Sequence, residues 1–352
     1  MAGETQNISL MADKISSELF KWFKWEQVGT SNENFKCLKT DEHSTKSDTH
    51  PNDVVYKYHD PYLNRTVFFN TDLKSYAKGS ITATSMRNAL TSLANAIDCA
   101  EGSKEWKDRY SYITGSSEVR GLLFAYNHDG NFDQSFYDIF HSVKDTTEAK
   151  GKRGINLDNL PLKQGQKIHI IEPRVINYLQ SVITDLTKLS HQGTFPLGTN
   201  YQFYYPDLTL HKVSGLPENL PATIESLTGP FFIIKHGDVK RLNDKTEEVE
   251  KSYDHGYVIY YNGEGNNEYE FIYIFDTLSK YQLLDGNEKI RIRLIHPNIY
   301  KDVRGIYMRA IETYSREWGF DEHKRSIIES IEFELVDFTK PTFSSVEIGW
   351  ER

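Results

Sequence analysis

The spacing of apolar residues predicts that helices and strands alternate through the first half of the chain. Apolar side chains recur every three or four residues in the helical segments, whereas the strand segments are short and bounded by turn residues. This order favours a mixed sheet with helices on its faces. The predicted elements are a helix at 8–29 ending at Gly29, a hairpin at 50–76, a helix at 79–102, a strand and turn at 119–130, a helix at 132–143, a strand at 167–173 and a helix at 176–189.

The second half follows a stretch rich in glycine and proline, residues 190–230, which marks a boundary or a long connection. We therefore expect an α/β domain at 1–190 and an α+β domain at 191–352. The predicted elements of the second domain are strands at 231–235, 256–263, 269–276 and 290–297, a helix at 300–318 and a final strand at 330–338.

Charge distinguishes the two halves of this 352-residue chain, whose formal net charge is −9. Residues 1–190 hold 23 Lys and Arg against 24 Asp and Glu, a balance of −1, whereas 191–352 hold 18 against 26, a balance of −8. The first half is therefore the better candidate for contact with a polyanion such as nucleic acid. The acidic second half is expected to bind a protein, either a partner or a second copy of the chain.

Cysteine content and hydropathy indicate where the protein works. The two cysteines, Cys37 and Cys99, are too few for a disulfide framework, which favours a reducing cytoplasm. No apolar run approaches the roughly 18 residues of a membrane span. Residues 1–10 lack the basic and apolar blocks of a secretory signal. We expect a cytoplasmic protein without membrane contact.

Candidate chemistry is concentrated in the hairpin "HPNDVVYKYHDPYLNRTVFFNTDLKSY". If its tip lies between Tyr62 and Leu63, Asp53 faces Asp72 across the two strands, with Cβ atoms about 5 Å apart. Strand alternation places Lys74 on the same face as this pair, while the opposite face is continuous apolar core. Two acids and an amine are thus expected to converge at one end of the hairpin.

Two carboxylates at this distance repel one another unless one is protonated or a cation lies between them. Mg²⁺ suits such a pair, because it prefers oxygen ligands and binds through one or two carboxylates while keeping water for a substrate phosphate. Mn²⁺ is an alternative. A lysine beside the metal can orient a water molecule and offset the negative charge that builds up during hydrolysis. The pattern therefore indicates phosphodiester hydrolysis.

"PND" followed by "TDLK", on two successive strands after an N-terminal helix, resembles the PD-(D/E)xK, or restriction-endonuclease-like, nuclease superfamily over about residues 8–190. The resemblance implies that Asp53 and Asp72 are metal ligands and that the carbonyl of Leu73 assists them. It also implies that Lys74 orients the attacking water. These four residues would form the catalytic and metal-binding centre.

The resemblance also implies a further ligand, because the first helix of such nucleases often supplies a glutamate to the metal. Glu18 borders the apolar stripe of the predicted helix and is the first candidate, and Glu26 on the same face is the alternative. The sequence departs from the pattern in one place. Asn52 separates Pro51 from Asp53, so the "PD" dipeptide is interrupted.

The function that this resemblance implies is a metal-dependent nuclease that prefers DNA and belongs to a bacterial defence or restriction system. The second domain would recruit a partner or restrain cleavage. Two alternatives stay open. One is a scaffold or binding subunit that keeps the nuclease fold without catalysis, and the other is a metal-dependent enzyme that acts on a small phosphate ester.

Several other groups of residues were considered as possible functional sites. A second D-x-K tripeptide at Asp238–Lys240 and a true "PD" at Pro206–Asp207 form a rival set, but no simple hairpin joins them. Hydroxyl groups at 80–85, with Lys78 and Arg87, suit either phosphate contacts or helix caps. The basic loop residues, either solvated or in contact with DNA, are Lys150, Lys152, Arg153, Lys163 and Lys167. No zinc spacing connects the histidines, so no metal role is expected of His43, His50 and His59.

Overall fold

The chain folds into two units, each with its own five-stranded sheet. The first unit reaches Ile176, and the second runs from Asn177 to Thr339. In the part of the chain that the structure describes, no helix combines the length and the apolar character that crossing a bilayer requires. The computed structural model describes residues 2–43, 48–111, 115–134, 136–141, 154–198, 200–205, 208, 220–242 and 248–339, with the backbone alone at 2–9 and at 242.

The first unit is built on a mixed sheet. Its strands are β1 Glu26–Val28, β2 Phe35–Lys36, β3 Thr49–His50, β4 Val54–Asp60, β5 Arg65–Tyr76, β6 Ser117–Asn127 and β7 Ile168–Ile171. The sheet order is β1-β4-β5-β6-β7, and β2 pairs with β3 in a separate ladder. β4 is antiparallel to both of its neighbours, whereas β5, β6 and β7 run parallel. The mixed sheet expected from the sequence is confirmed.

Helices cover both faces of this sheet. They are α1 Ala2–Trp22, α2 Ala83–Ala100, α3 Lys104–Tyr110, α4 Phe136–Phe140 and α5 Pro173–Gln192, the last of which continues into the second unit. On one face, Leu93 of α2 packs in a core that includes Leu123 of β6. On the other face, the ring of Phe20 in α1 lies 4.6 Å from that of Tyr56 and 5.9 Å from that of Phe124.

Helix α1 ends at Trp22, so the predicted end at Gly29 is wrong. Lys24 adopts the left-handed backbone conformation, with φ 61°. The amide of Trp25 donates to the carbonyl of Phe20 at 3.0 Å, which is the hydrogen bond of a helix C-terminal motif that usually carries glycine in the left-handed position. Because lysine occupies that position here, the apolar pattern runs past the end of the helix without an ordinary stop residue.

The hairpin of β4 and β5 has the predicted register. Val54 pairs with Thr71, which confirms a tip between Tyr62 and Leu63. The carboxylate of Asp60 accepts hydrogen bonds from the amides of both tip residues, each at 2.9 Å. An aspartate that binds the amides two and three residues ahead closes a tight turn by local chemistry. That turn determines which residues of the two strands face one another.

The second unit combines a five-stranded sheet, a two-stranded ladder and helices. Its elements are β8 Tyr201–Phe203, α6 Ile224–Leu227, β9 Phe231–His236, β10 Val239–Leu242, β11 Val249–Tyr253, β12 Gly256–Tyr261, α7 Glu268–Lys280, β13 Lys289–Leu294, α8 Val303–Glu317, α9 Glu322–Glu329 and β14 Glu332–Leu335. The sheet order is β14-β13-β12-β9-β8, and β12, β13 and β14 run parallel. Because helices connect these parallel strands, the unit is α/β and not the expected α+β.

One predicted strand of this unit is a helix. Residues 269–276 were expected in a strand because tyrosine, phenylalanine and isoleucine favour β structure, but they lie in α7. The side chain of Asn267 caps α7 by accepting a hydrogen bond from the amide of Tyr269 at 2.9 Å. The buried residues of the helix recur at helical spacing, namely Phe271, Ile274, Phe275 and Leu278. Periodicity therefore outweighs residue preference here.

Helix α5 packs mainly within the second unit. The hydroxyl of Tyr178 donates to the carbonyl of Tyr260 at 3.1 Å. Asp185 accepts hydrogen bonds from Arg293 Nε at 2.9 Å and from the hydroxyl of Tyr260 at 2.8 Å. These buried contacts tie the helix to the second sheet, so the units divide inside α5, earlier than the sequence-based limit of 190.

Candidate active site

Asp53 and Asp72, the acidic pair, meet at the open end of the β4–β5 hairpin. Asp53 immediately precedes β4, and the pairing of Val54 with Thr71 puts it opposite Asp72. Asp53 Oδ2 accepts a hydrogen bond from the amide of Leu73 at 2.7 Å. The charge of Asp53 contributes to the raised pKa of Asp72, as expected of two carboxyl groups that lie near one another. The structure thus brings together the two acids that the sequence predicted to face each other.

Asp72 is the more strongly perturbed acid of the pair. Its side chain is only 12% exposed. Burial, together with the charge of Asp53, raises the pKa of Asp72 to about 6, although its ion pair with Lys74 opposes the change. A raised pKa means that the fold favours the neutral acid over the carboxylate. The positive charge of Lys74 is therefore not enough to keep both Asp53 and Asp72 ionised.

Lys74 is a protonated donor beside the pair. Its ammonium group forms an ion pair with Asp72 Oδ1. Burial alone would lower the pKa of Lys74, but the charges of Asp72 and Asp53 outweigh burial and raise it. A lysine that stays charged and is held by a carboxylate is a positioned donor for an oxygen atom that gains negative charge.

Helix α1 brings an acid toward the pair, but not the predicted one. Asp13 is half-buried, and burial and then the charge of Asp53 raise its pKa. Glu18 is exposed. It lies about 140° around the helix axis from Asp13, because consecutive residues of a helix are turned by about 100°. Glu26 is in β1, not in the helix, and pairs with Lys57 at 3.2 Å.

The donor atoms of the acidic pair fit a hard divalent cation. Two adjacent carboxyl groups offer oxygen ligands, and a doubly charged ion between them would offset the crowding that raises the pKa of Asp72. Among the described residues, no three mutually close ligand atoms are found at this place. A site with so few protein ligands is still suited to Mg²⁺ or Mn²⁺, because such ions keep several water molecules and bind through one or two carboxylates.

Comparison with known proteins agrees with this geometry. Residues 1–175 match the family model described as "GAPS4 protein PD-(D/E)XK nuclease domain". This part of the chain belongs to the PD-(D/E)XK nuclease family. The match extends from α1 through β7 and includes the acidic pair and Lys74. No curated protein and no solved structure matches the chain. The nuclease resemblance seen in the sequence is therefore confirmed for the first unit.

Hydroxyl groups near the start of α2 cap the helix of the nuclease domain. Thr82 Oγ1 accepts a hydrogen bond from the amide of Ser85 at 3.2 Å, and Ser85 Oγ accepts one from the amide of Thr82 at 3.0 Å. This reciprocal pair is a capping box. Lys78 Nζ lies 2.8 Å from Asp133 Oδ1. Helix capping therefore accounts for Thr82 and Ser85, and an ion pair accounts for Lys78, although all three also suited a phosphate contact.

Two of the basic loop residues of the nuclease domain are paired with carboxylates. Lys163 Nζ lies 2.8 Å from Asp98 Oδ2, and Lys167 Nζ lies 3.4 Å from Glu118 Oε1. The other basic positions fall outside the described residues, namely Lys150, Lys152 and Arg153. A contact between this loop and DNA stays a prediction.

The rival D-x-K tripeptide lies in the second unit, outside the nuclease domain. Asp238 stands between β9 and β10, and its carboxylate accepts a hydrogen bond from the amide of His255 at 2.9 Å. Lys251 Nζ pairs with it at 3.3 Å. Pro206 and Asp207 fall outside the described residues. Asp238 is thus occupied in joining the turn between β9 and β10 to β11 and to the turn that follows it.

A second group of ligand side chains lies in the nuclease domain, where the sequence indicated none. It comprises Cys37, His43, His50 and Cys99, whose ligand atoms all lie within 4.8 Å of one another. His59 is not part of the group, and its ring contacts Asn64 Oδ1 at 3.2 Å. Spacing along the chain could not reveal this group, because Cys99 comes from α2 while the other three precede β4.

Proposed function

We propose that the first unit hydrolyses phosphodiester bonds of nucleic acid, with DNA as the preferred substrate and Mg²⁺ or Mn²⁺ as the required ion. The observation that carries the proposal is the acidic pair, in which two carboxyl groups crowd together beside a protonated lysine. This pair stands in a domain matched to PD-(D/E)XK nucleases, which use divalent metal ions.

Asp53 and Asp72 would hold the ion, with the carbonyl of Leu73 as a further oxygen donor. When bound, the ion supplies positive charge that polarises the substrate phosphate. The hydrogen bond from the amide of Leu73 holds the Asp53 carboxyl group in place. Asp13 would support the pair from α1, in the place that the family resemblance assigned to Glu18, because its pKa responds to the charge of Asp53.

Lys74 would act on the reacting atoms. Its ammonium group is held by Asp72, so its direction is set before substrate arrives. From there it would donate a hydrogen bond to the attacking water or to a phosphate oxygen. Donors fixed in advance where negative charge develops lower the barrier of such a reaction, typically by a few kcal/mol.

The setting and the partners are proposed from the family and from charge. GAPS4 is an anti-phage defence family, and we assign this chain a role in bacterial defence in the cytoplasm. The residues up to 190 are nearly neutral while the remainder is strongly acidic. Such a chain is expected to hold DNA weakly by itself. The second unit would therefore bind a protein partner, or a second copy of the chain, that recruits or restrains the nuclease.

Plasmid nicking tests the proposed activity. Wild type is compared with Asp72→Asn and Lys74→Ala in the presence of Mg²⁺ or Mn²⁺. Each substitution should lower the nicking rate about 100-fold or more, as loss of a charged group at a phosphate-transfer centre does. The matched control is Lys240→Ala, which removes the exposed lysine of the rival D-x-K tripeptide and should nick like wild type.

Equal nicking by wild type and both site variants would refute the catalytic assignment. If wild type neither nicks DNA nor binds Mg²⁺ in calorimetry, the scaffold alternative is favoured. A competition experiment addresses the substrate. If nucleotides inhibit nicking better than duplex DNA does, the small phosphate ester alternative is favoured.

A further inference from the structure

The Cys/His cluster, formed by Cys37, His43, His50 and Cys99, takes no part in the proposed nuclease chemistry. All four side chains are buried, with exposed fractions of 3%, 6%, 1% and 0% in that order. Both cysteines are free thiols. Four metal-binding side chains that converge in a place closed to water call for a physical explanation.

Four of the six separations between the ligand atoms of the cluster match the edges of a coordination tetrahedron, and the other two are within 4.8 Å. With Zn–S about 2.3 Å and Zn–N about 2.05 Å, regular tetrahedral geometry separates two sulfurs by about 3.8 Å, sulfur and nitrogen by about 3.6 Å, and two nitrogens by about 3.3 Å. Cys37 Sγ and Cys99 Sγ are 3.9 Å apart. His43 Nδ1 lies 3.6 Å and 3.5 Å from these sulfurs and 3.4 Å from His50 Nε2.

Asp98 fixes the orientation of one imidazole. Its Oδ2 lies 3.3 Å from His43 Nε2, so that nitrogen carries the proton and Nδ1 presents its lone pair to the cluster. Asp98 is itself held by Lys39 Nζ at 2.6 Å and Lys163 Nζ at 2.8 Å. A carboxylate behind a histidine is the usual outer partner of a metal-binding imidazole.

Backbone amides surround the sulfur atoms as donors. The amide of Leu38 donates to Cys99 Sγ at 3.3 Å, and the amide of Lys39 donates to Cys37 Sγ at 3.4 Å. Amides directed at sulfur are outer partners of the kind that orient metal-bound cysteines. Two thiolates in so buried a place would need a cation close by to offset their charge.

We propose that the Cys/His cluster binds one Zn²⁺ ion as a closed structural site. Two thiolates and two imidazoles are a standard structural ligand set for zinc, and their charge cancels that of the ion. Sulfur ligands disfavour Mg²⁺, which prefers oxygen, so this site and the acidic pair would take different metals.

The ion would join a small ladder to α2 and support the acidic pair. Cys37 follows β2, His50 ends β3, and Cys99 lies in the last turn of α2. The β2–β3 ladder has only two residue pairs. A pair of strands this short is not stable alone. Because His50 is close in the chain to Asp53, the ion would also hold the segment that leads into the acidic pair.

Metal analysis of the full chain, purified without chelators, tests the assignment. Wild type should contain about one zinc ion per chain, as a four-ligand site requires. Asp72→Asn and the exposed His59→Ala should keep it, whereas Cys99→Ser and His50→Ala should lose it. Zinc retained in Asp72→Asn also separates this site from the nuclease centre, so failure of one proposal would not conceal failure of the other.

Cobalt substitution of the wild-type protein covers the case of variants that do not fold. After zinc is removed by a chelator, added Co²⁺ should give the strong visible bands of a tetrahedral ion and the near-ultraviolet band of thiolate ligation, and Zn²⁺ should abolish both. Wild type without zinc and without these bands would overturn the proposal. Full zinc content in both Cys99→Ser and His50→Ala, or a Cys37–Cys99 disulfide in the isolated protein, would overturn it as well.

Discussion

The acidic pair and the Cys/His cluster lie in the same unit but differ in the kind and number of ligands that they offer. Two carboxyl groups form the pair, one just before β4 and one in β5, and burial raises the pKa of Asp72 to about 6. Four sulfur and nitrogen ligands form the cluster, and all of them are buried. An incomplete oxygen site leaves room for water and substrate, whereas a complete sulfur and nitrogen site leaves none. Chemistry is therefore expected at the first site and structural support at the second.

The largest expected effect is on stability when the Cys/His cluster is emptied. Binding of structural zinc is also folding free energy, so a chelator or Cys99→Ser should lower the free energy of unfolding by about 3 kcal/mol or more. Urea unfolding followed by fluorescence measures the change, because Trp106 packs in the same core as both cysteines. His59→Ala is the control. If the urea midpoint of unfolding does not change after complete zinc removal, the Cys/His cluster does not stabilise the fold.

A smaller effect of opposite sign is expected at the acidic pair. The pKa of Asp72 is about 6 in the folded chain against an ordinary value of 3.8. Because the folded state holds this proton more tightly, the free energy of unfolding falls as pH rises between these values and stays reduced above them. Asp72→Asn removes the charge and should raise the free energy of unfolding by up to about 3 kcal/mol near pH 7.5 without metal.

This gain should shrink toward zero as the pH is lowered to roughly 3, below both pKa values, where Asp72 is mostly protonated in both states. Saturating Mg²⁺ should also reduce the gain, because it stabilises the wild type through the paired charges. Asp108→Asn, an exposed aspartate of α3, is the matched control. If Asp72→Asn instead destabilises the chain at neutral pH, the buried charge is fully compensated and the pair has no need of a cation.

Sequence reasoning succeeded where short-range chemistry decides the structure. The hairpin register follows from a turn that Asp60 closes within the next three residues, so the facing of Asp53 and Asp72 could be inferred from local chemistry alone. It failed at the end of α1, where Lys24 adopts a conformation that lysine rarely takes. The residue type therefore gives no signal that Lys24 adopts the left-handed conformation.

Site residues that depend on three-dimensional packing were harder to infer. Cys99 joins Cys37 through the placement of α2 on the sheet, and no spacing rule within one segment relates them. Asp13 and Glu18 both border the apolar stripe of α1, and the choice between them depends on how the helix is rotated against the sheet. Periodicity finds the buried face of a helix, but it does not say which edge of that face meets a neighbouring group.

The smallest expected effect distinguishes the two acids of α1 and sharpens the account of the acidic pair. If Asp13 supports the pair, Asp13→Asn should weaken nicking at limiting Mg²⁺ about 10-fold, as loss of an outer partner of a metal site does. Saturating Mg²⁺ should restore most of the rate. Glu18→Gln, a change at an exposed position, should stay within about twofold of wild type. If Glu18→Gln lowers the nicking rate more than Asp13→Asn does, Glu18 is the acid of α1 that supports the metal. The interaction between Asp53 and Asp13 would then have no role in catalysis.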